Sequence, residues 1–448
     1  MRTKHFGLIL IMAVLLFQCS SNGRDNLANQ VKDEFLHSWQ GYQEYAWGHD
    51  ALKPLSKSHH DWYSTSLLMT PVDAFDTMIL MGLDKQAEEA KKIVFENLSF
   101  DHDMYVKNFE INIRLMGGLL SAYQLDGDER FLELAEDLGE RLLPAFDSPT
   151  GMPYMFVNLK TGETRGEISN PAEIGTQMLE FGTLSKLTGR PVFYKTAKKA
   201  VETMFNKRSE IGLVGTTINV ETGEWVNEDS HLSGMIDSYY EYLYKSWLLF
   251  GDEDFKKMWD KSIAAINDYL ADRRFNGLWY GRANMNTGER TGTTFGALDA
   301  FFPVVLAISG DLKRAADLQE SCFKMWQLHG IEPEVLDYSK MEVVSAGYPL
   351  RPENIESAYY LHKFTGDKKY RNMGKTFLKT LKKYCRTEAG YAHLKSVVTK
   401  EKSDAMESFF LAETLKYLYL LLSTEEIIDL DKVVFNTEAH PLQNTWDK

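Results

Sequence analysis

Residues 111–128 read Ile-Asn-Ile-Arg-Leu-Met-Gly-Gly-Leu-Leu-Ser-Ala-Tyr-Gln-Leu-Asp-Gly-Asp and contain the two signals that decide the fold. Apolar residues from Ile111 to Ala122 recur at the spacing of one helix face, which predicts a helix with a buried side. The Leu-Asp-Gly-Asp that follows is a turn signal, because glycine interrupts a regular helix. The stretch therefore predicts a core helix that ends at a tight turn.

This turn signal recurs through the rest of the chain. Its glycines stand 56 to 62 residues apart, which is the length of two helices with their connections. The repeated turns are centred on Gly127, Gly189, Gly251, Gly310 and Gly366. Helical hairpins are therefore expected to follow one another along the chain.

A second repeat, Asn-x-x-Thr-Gly-Glu, alternates with the first. It occupies residues 158–163, 219–224 and 284–289, each time beside short β-prone runs. A glycine in such a polar turn is typical of a β-hairpin. About seven helical hairpins closed into an α/α toroid, with the β-hairpins on the face opposite the Gly-Asp turns, account for both periods. An open solenoid is the alternative.

The composition is that of a folded, acidic protein. Of the 448 residues 44% are hydrophobic, and no Pro/Ser-rich linker or charge block divides residues 30–448, so one large domain is predicted. The net charge of -14 opposes binding to nucleic acid, which we exclude as a partner. A monomer is expected. The sequence has no P-loop, G-x-S-x-G, H-E-x-x-H or EF-hand motif.

The first 18 residues have a basic start and an apolar run that is too short to span a bilayer, which is typical of a signal peptide. Cys19, followed by Ser-Ser-Asn-Gly, resembles the lipidated cysteine of a bacterial lipoprotein; plain secretion with an incidental cysteine is the alternative. We predict a signal peptide at 1–18, a tether at 19–29 and the folded domain at 30–448. The protein would then be an exported lipoprotein of the periplasm or the outer membrane and cell surface, held to the membrane only by its lipid.

Several charged residues stand where helix patterning does not favour them. Glu110 and Arg114 lie four residues apart in a nearly apolar run, so they form either an exposed ion pair or a buried functional pair. Gly117 and Gly118, on the same predicted helix, would allow another backbone to approach closely. The apolar surroundings therefore keep both interpretations of the pair open.

A second group of charges opens a predicted helix. Arg351, Glu353 and Glu356 crowd its first turn, beside Pro352. First-turn acids are commonly only partners of the helix dipole. That explanation suits one acid, but an arginine and two acids that face the same way suggest a functional site.

Two further acids each have a structural and a functional interpretation. Asp237 lies at a predicted helix start, where Ser238 and Glu241 have the spacing of a capping box. Glu413 lies in an apolar helix three residues before Lys416, a spacing that suits an ion pair. Several acids in apolar surroundings, without a nucleophile motif, favour glycoside hydrolysis, in which two carboxyl groups flank the bond to be broken.

Transition-metal and disulfide chemistry have less support in the sequence. His59 and His60 look like a metal-binding pair, but adjacent side chains point apart on a helix and to opposite faces of a strand, so we predict no zinc site there. Cys322 and Cys385 are too few for a disulfide framework and lack a CxxC spacing.

Seven stretches together resemble the class I α-1,2-mannosidases of glycoside hydrolase family 47, which include the endoplasmic-reticulum degradation-enhancing mannosidase-like proteins. They are residues 39–50, 72–82, 109–123, 236–242, 351–356, 408–419 and 434–441, in order over nearly all of the chain after the leader. The resemblance implies an (α/α)7 barrel, hydrolysis with inversion at the anomeric carbon, and a calcium ion (Ca2+) at the barrel floor.

The resemblance also implies roles for individual residues. Thr437, within Asn-Thr-Glu-Ala-His, is the implied calcium ligand. Glu353 is the implied general base, acting through a water, and Glu110 the implied general acid, with Asp237 as the alternative proton donor. The other implied residues would bind the departing mannose: Arg114, Arg351, Glu356, Phe409, Glu413 and Glu438.

Two departures from the family pattern leave the branch of the family open. Cys322 matches one half of a cysteine pair of the processing enzymes, but Ala300 stands at the partner position, so no bridge is expected. Ala297 stands where those enzymes have a subsite histidine. The leading hypothesis is an exo-acting mannosidase that removes α-1,2-linked mannose from high-mannose N-glycans or mannan. The alternative is a tethered glycan-binding lipoprotein without turnover.

Overall fold

The computed structural model of the protein describes residues 27–446, in which inner and outer helices alternate around a ring. The inner helices bury nearly all of their side chains, whereas the outer helices bury one face. The inner segments are Met69–Asp73 with Phe75–Met81, Asn108–Ile111 continuing through Asn112–Met116 and Gly117–Asp126, Pro171–Gly175 with Met178–Thr188, Asp237–Phe250, Leu298–Phe301 with Phe302–Ile308, Glu353–Thr365, and Phe410–Thr414 with Leu415–Leu422. The outer segments are residues 27–45, Asp84–Asn97, Glu129–Leu142, Pro191–Asn206, Glu253–Ala265, Leu312–His329 and Lys368–Tyr384.

Contacts between the first and the last inner segments close the ring. Oγ1 of Thr77 donates a hydrogen bond to the carbonyl oxygen of Ala412 at 3.2 Å. Nζ of Lys416 lies 2.6 Å from Oδ1 of Asp76, and both side chains are fully buried. The predicted (α/α)7 barrel is therefore confirmed, and the open solenoid is excluded.

The Gly-Asp turns join four of the inner helices to the outer helices that follow them. Gly251 ends the helix Asp237–Phe250 with a φ of 68°, in the left-handed region that suits glycine. The side chain of Asp252 then accepts a hydrogen bond from the backbone N–H of Asp254 and caps the next helix. The same arrangement recurs at residues 127–128 and 366–367. At 310–311, Gly310 follows the C-cap Ser309, and Asp311 caps the next helix through the N–H of Arg314. One dipeptide thus ends one helix and starts the next.

The predicted β-hairpins lie at the opposite end of the barrel, as expected. They pair Phe156–Asn158 with Thr164–Arg165, Thr217–Asn219 with Trp225–Asn227, and Arg282–Asn284 with Arg290–Gly292. In the first hairpin, Oδ1 of Asn158 accepts hydrogen bonds from the N–H groups of Lys160 and Thr161, both at 3.0 Å. The asparagines at 219 and 284 do the same, which explains the repeated motif.

All strand pairing in the described chain is antiparallel and short. Third strands join the three hairpins and precede inner helices: Tyr105–Lys107, Ile168–Ser169 and Asp229–Ser230. The other sheets pair Thr294–Gly296 with Val335–Asp337 and Glu342–Ser345, Ala51–Lys53 with Ser58–His60, Ala271–Arg274 with Gly277–Tyr280, Arg386–Thr387 with Gly390–Tyr391, His393–Leu394 with Lys402–Ser403, and Val433–Phe435 with Pro441–Gln443.

The C-terminal hairpin inserts its turn into the barrel beside two glycines. Nδ2 of Asn436 donates to the carbonyl oxygen of Ile113 at 2.9 Å. A Cβ on Gly117 would lie 2.5 Å from that Nδ2, and a Cβ on Gly118 would lie 3.1 Å from the carbonyl oxygen of Val72. The predicted close approach at the two glycines is confirmed, and it holds the turn at residues 436–440 in the barrel.

The leader and its cysteine lie outside the described residues. This applies to the predicted signal peptide at 1–18 and to Cys19, while a helix already runs at residue 27, within the predicted tether. The domain boundaries and the lipid anchor therefore stay predictions. Within residues 27–446, no helix is both long and apolar enough to cross a bilayer. Cys322 and Cys385 are buried free thiols, as expected.

Candidate active site

The N-terminal ends of the inner helices surround a cavity of about 370 Å³. Most of the acids in its wall stand in the first turn of a helix, where the helix dipole favours negative charge. Nine of the residues predicted for the site line this cavity: Glu110, Arg114, Asp237, Arg351, Glu353, Phe409, Glu413, Thr437 and Glu438.

Glu110 and Arg114 form a pair inside the cavity wall. Nε and Nη2 of Arg114 each lie 3.1 Å from Oε2 of Glu110. The guanidinium carbon is 5.0 Å from the ring centre of Trp62 and 5.7 Å from that of Phe409. Burial disfavours the charge of Arg114, but the carboxylates of Glu438 and Glu110 more than offset this and raise its pKa. The exposed surface ion pair is therefore the wrong interpretation.

Asp237 is the first residue of its inner helix and lines the same cavity. Its Oδ1 accepts a hydrogen bond from the N–H of Ser238 at 2.8 Å. The hydroxyl of Ser238 bonds to Oγ1 of Thr176, and Glu241 pairs with Lys245. The capping box does not form. Burial raises the pKa of Asp237 to about 6, although the bond from Ser238 opposes this rise.

Glu353 opens another inner helix. Burial raises the pKa of its carboxyl to about 8, against the attraction of Arg351. Arg351 itself is held by Glu334, with Nε 3.2 Å from Oε2 and Nη2 2.5 Å from Oε1. Oε2 of Glu353 is buried and has no hydrogen-bond partner among residues 27–446. This oxygen is therefore available to a ligand in the cavity.

Glu356 is the one predicted site residue, among those described, that lies behind the cavity wall. Its Oε1 accepts a hydrogen bond from the hydroxyl of Tyr417 at 3.0 Å and lies 3.9 Å from Nζ of Lys245. A residue three positions further along an α-helix lies almost one turn deeper, so the side chains of Glu356 and Glu353 do not reach the same space. The prediction that Glu353 and Glu356 line one site is therefore corrected: Glu353 lines the cavity and Glu356 lies behind its wall.

Glu413 and Glu438 form an acidic part of the cavity wall, which we call the floor. Burial, together with the charges of Glu438 and Glu353, raises the pKa of Glu413 well above its ordinary value. The pKa of Glu438 is raised in the same way by burial, although Arg114 opposes the rise. Lys416 pairs with Asp76, so the predicted local pair with Glu413 does not form. The crowded carboxyl groups make this floor a place for a cation.

Residues 34–444 match the sequence model described as glycosyl hydrolase family 47. This chain belongs to glycosyl hydrolase family 47. It is 40% identical to the endoplasmic reticulum mannosyl-oligosaccharide 1,2-alpha-mannosidase of Rattus norvegicus, over 92% of this chain and 67% of that protein. It is 38% identical to ER degradation-enhancing alpha-mannosidase-like protein 2 of Mus musculus, over 92% of this chain and 77% of that protein. Among solved structures, the alpha-1,2-mannosidase from Trichoderma reesei aligns with a TM-score of 0.86 and 29% identity, covering 94% of this chain and 99% of that one.

Membership in family 47 makes the protein a glycoside hydrolase and confirms the resemblance drawn from the seven sequence stretches. The identities to a processing mannosidase and to a degradation-enhancing protein are nearly equal. Overall identity therefore does not show whether the chain is closer to the processing enzymes or to the degradation-enhancing proteins. The residues at Ala297 and Ala300 leave the same question open.

The cavity of this family 47 protein has donors that fit a calcium ion. Its wall contains the hydroxyl residue Thr437 and several carboxylates, and no histidine or cysteine of the described chain lines it. Calcium takes oxygen ligands, so the donor chemistry agrees with it. The unpartnered Oε2 of Glu353 and the raised pKa of Glu413 are further signs of an acidic site that lacks enough protein cations.

Sequence reasoning missed several residues of the wall, including Lys107, Asn170, Glu173 and Met235. Nζ of Lys107 lies 2.8 Å from Oε1 of Glu173 and 3.7 Å from Oε1 of Glu110. Burial raises the pKa of Glu173 to about 7. Its signal was in the sequence, because Asn-Pro-Ala-Glu at 170–173 places an acid in the first turn after a proline, as at Glu353.

A buried network also missed by sequence reasoning supports the floor. Nδ1 of His440 lies 2.7 Å from Oδ2 of Asp76, and Nε2 lies 3.0 Å from Oδ1 of Asp73. Burial opposes a charge on His440, but the two aspartates raise its pKa. Asp73 in turn lies 3.6 Å from Nη1 of Arg114. The turn that carries Thr437 is thus bound to the first inner helix.

Proposed function

We propose that the protein is an exo-acting, calcium-dependent, inverting α-1,2-mannosidase that releases mannose from high-mannose N-glycans or mannan. The observation that carries this proposal is the convergence of Glu110, Asp237 and Glu353 on one cavity from three separate inner helices. Two of the family 47 relatives are 1,2-alpha-mannosidases, which supports the substrate and linkage.

The arrangement of the acids around the ring supports inversion. The inner helix that begins at Glu353 neighbours neither the one that carries Glu110 nor the one that begins at Asp237, because other inner helices intervene in both directions. Inverting glycosidases hold their two carboxyl groups about 6.5–9.5 Å apart so that a water fits between the base and the anomeric carbon. Acids on separated helices suit that spacing.

Glu353 is the proposed general base. Its unpartnered oxygen can accept a proton from a water as that water attacks the anomeric carbon. When bound, a calcium ion near Thr437 would supply positive charge that lowers the pKa of neighbouring acids and oxygen coordination that orients the mannose hydroxyls.

Asp237 is the proposed proton donor. Oε2 of Glu110 accepts a hydrogen bond from Nε of Arg114, so this oxygen is already engaged with the arginine. The pKa of Asp237 is raised to about 6, so its carboxyl retains a proton under mildly acidic conditions. The donated proton goes to the glycosidic oxygen as the bond to the anomeric carbon breaks. Glu110 then contributes by positioning Arg114 and the sugar.

The proposal is tested by incubating the full chain with linkage-defined mannobioses and measuring free mannose. Release from the α-1,2 dimer is expected, and it should stop on chelation and return on addition of calcium. Full activity of a metal-free preparation would remove calcium from the proposal. Binding of the dimer without release would instead identify a glycan-binding protein.

We further propose that the mature protein is an exported, monomeric lipoprotein without a nucleic-acid partner. The basic start, the apolar run and Cys19 support export and lipidation, and the acidic net charge of -14 speaks against nucleic acid. Cys19→Ala is expected to move the protein from the membrane to the soluble fraction of a bacterial host. Unchanged fractionation of that variant would argue for another anchor.

A further inference from the structure

His49, His59 and Asp61 meet outside the active-site cavity, near the start of the described chain. Nδ1 of His49 is 2.9 Å from Oδ2 of Asp61, and the rings of His49 and His59 stack with centres 3.4 Å apart. One ligand atom from each residue lies within 4.8 Å of the other two. We propose that these three residues form a binding site for a zinc-type divalent transition-metal ion, separate from the calcium position in the cavity.

The donor set determines the class of ion. Two imidazoles and a carboxylate suit zinc and its neighbours, with bonds of about 2.0–2.2 Å, whereas calcium prefers an all-oxygen shell. A tetrahedral ion at that bond length needs ligand atoms roughly 3.4 Å apart. This value lies between the 2.9 Å that separates Nδ1 of His49 from Oδ2 of Asp61 and the 4.8 Å within which all three ligand atoms lie. Three protein ligands leave the fourth position to water.

Two of the ligands are held in place by the backbone around them. His59 lies on Ser58–His60, which pairs with Ala51–Lys53, and it stands opposite Leu52. Asp61 follows directly, and its Oδ1 accepts a hydrogen bond from the N–H of Asp50 at 2.9 Å. Such a partner orients a ligating carboxylate, and Oδ2, which faces Nδ1 of His49, is the oxygen that would bind the metal.

One ring must turn for the ion to bind. The two imidazole planes are within 10° of parallel, so their nitrogen lone pairs lie side by side and do not converge on one point. His59 is exposed, and its ring can rotate into solvent without disturbing the core. When the ion binds, the hydrogen bond between His49 and Asp61 is replaced by coordination of both side chains to that ion.

The site gives His59 a partner that the sequence did not indicate. His59 and His60 do point to opposite faces of a strand, so they cannot bind one ion together. The partner of His59 is His49, brought near by the hairpin. The next residue after Asp61 is Trp62, whose ring packs against Arg114 of the cavity, so a bound ion would also stabilise that wall.

The test titrates the calcium-saturated full chain with ZnCl2 by calorimetry and with CoCl2 by visible absorption, because excess calcium occupies the cavity. One zinc ion per chain and a cobalt spectrum with nitrogen ligation are expected. Loss of a supporting partner alone usually lowers metal affinity about 10–100-fold, so His59→Ala should weaken binding by at least about tenfold.

His60→Ala is the matched control, since His60 is the adjacent exposed histidine on the other strand face. It should bind zinc like the wild type, and zinc should raise the melting temperature of His60→Ala but not of His59→Ala. Neither histidine lines the cavity, so mannose release without zinc should be unchanged in both variants. Absence of binding, unchanged affinity in His59→Ala, or an equal loss in His60→Ala would overturn the proposal.

Discussion

Arg114 donates a hydrogen bond from Nη1 to Oε1 of Glu438, across 324 residues of sequence. Both side chains are more than nine-tenths buried. The pair joins the second inner helix to the C-terminal turn, and the same arginine holds Glu110. One side chain therefore connects the stability of the barrel to the geometry of its active site.

Arg114→Met is expected to lower the free energy of unfolding by about 3–5 kcal/mol, because it leaves buried carboxylates without their cation. Urea unfolding measures this loss. Arg130→Met is the control, because Arg130 pairs with Asp128 on the surface and should change stability little. Equal unfolding midpoints for the two variants would contradict the structural role of Arg114.

Glu353→Gln should retain the fold and lose turnover. The amide keeps the shape of the side chain but cannot accept the proton of the attacking water, so we expect kcat to fall by at least about 100-fold. Circular dichroism checks the fold and mannose release checks the rate. Glu342→Gln, on an exposed strand away from the cavity, should behave as wild type. A wild-type rate in Glu353→Gln would refute the assignment of the base.

The same variant should be more stable than the wild type in chelator at neutral pH. Burial raises the pKa of Glu353 from 4.5 to about 8, so the carboxyl costs no ionisation energy below pH 4.5. The cost then grows as the pH rises from 4.5 to 8 and is constant above pH 8. The stability difference between Glu353→Gln and wild type should therefore increase over that window, which urea unfolding at several pH values measures. A difference that shrinks with rising pH would show that the carboxyl is stabilised as an anion.

Asp237→Asn should separate proton donation from the rest of catalysis. With mannobiose, whose leaving oxygen needs a proton, we expect a loss of about 10²–10⁴-fold. With 2,4-dinitrophenyl α-mannoside, whose leaving group needs none, the loss relative to wild type should be much smaller. Glu110→Gln should slow both substrates alike. The reverse pattern would identify Glu110 as the donor.

The first product released from an α-mannoside should be β-mannose. Water activated by Glu353 attacks the face opposite the leaving group, so the anomeric configuration inverts in one step. Proton NMR of the earliest product distinguishes the anomers before mutarotation. An initial α anomer, or a trapped glycosyl-enzyme, would require a nucleophile and would overturn the proposed roles.

The repeating architecture follows from local patterns in the sequence. Gly251 ends one helix and Asp252 caps the next, and Asn158 closes a hairpin with its own neighbours. These interactions join residues only a few positions apart, so their patterns can be recognised in the sequence before the fold is known. The candidate acids Glu110 and Glu353 were also recognisable, because each stands in an apolar run or a helix start.

The pairing of the buried charges, in contrast, depends on how the whole chain folds. Lys416 has Glu413 three residues away, yet it pairs with Asp76 because closure of the ring brings the first and last inner helices together. Glu356 follows Glu353 by three residues but is turned behind the wall. A long side chain in a buried setting takes the partner that packing supplies, since an unpaired buried charge costs far more than a local surface pair gains. Spacing in the sequence does not show which residues come into contact across hundreds of positions.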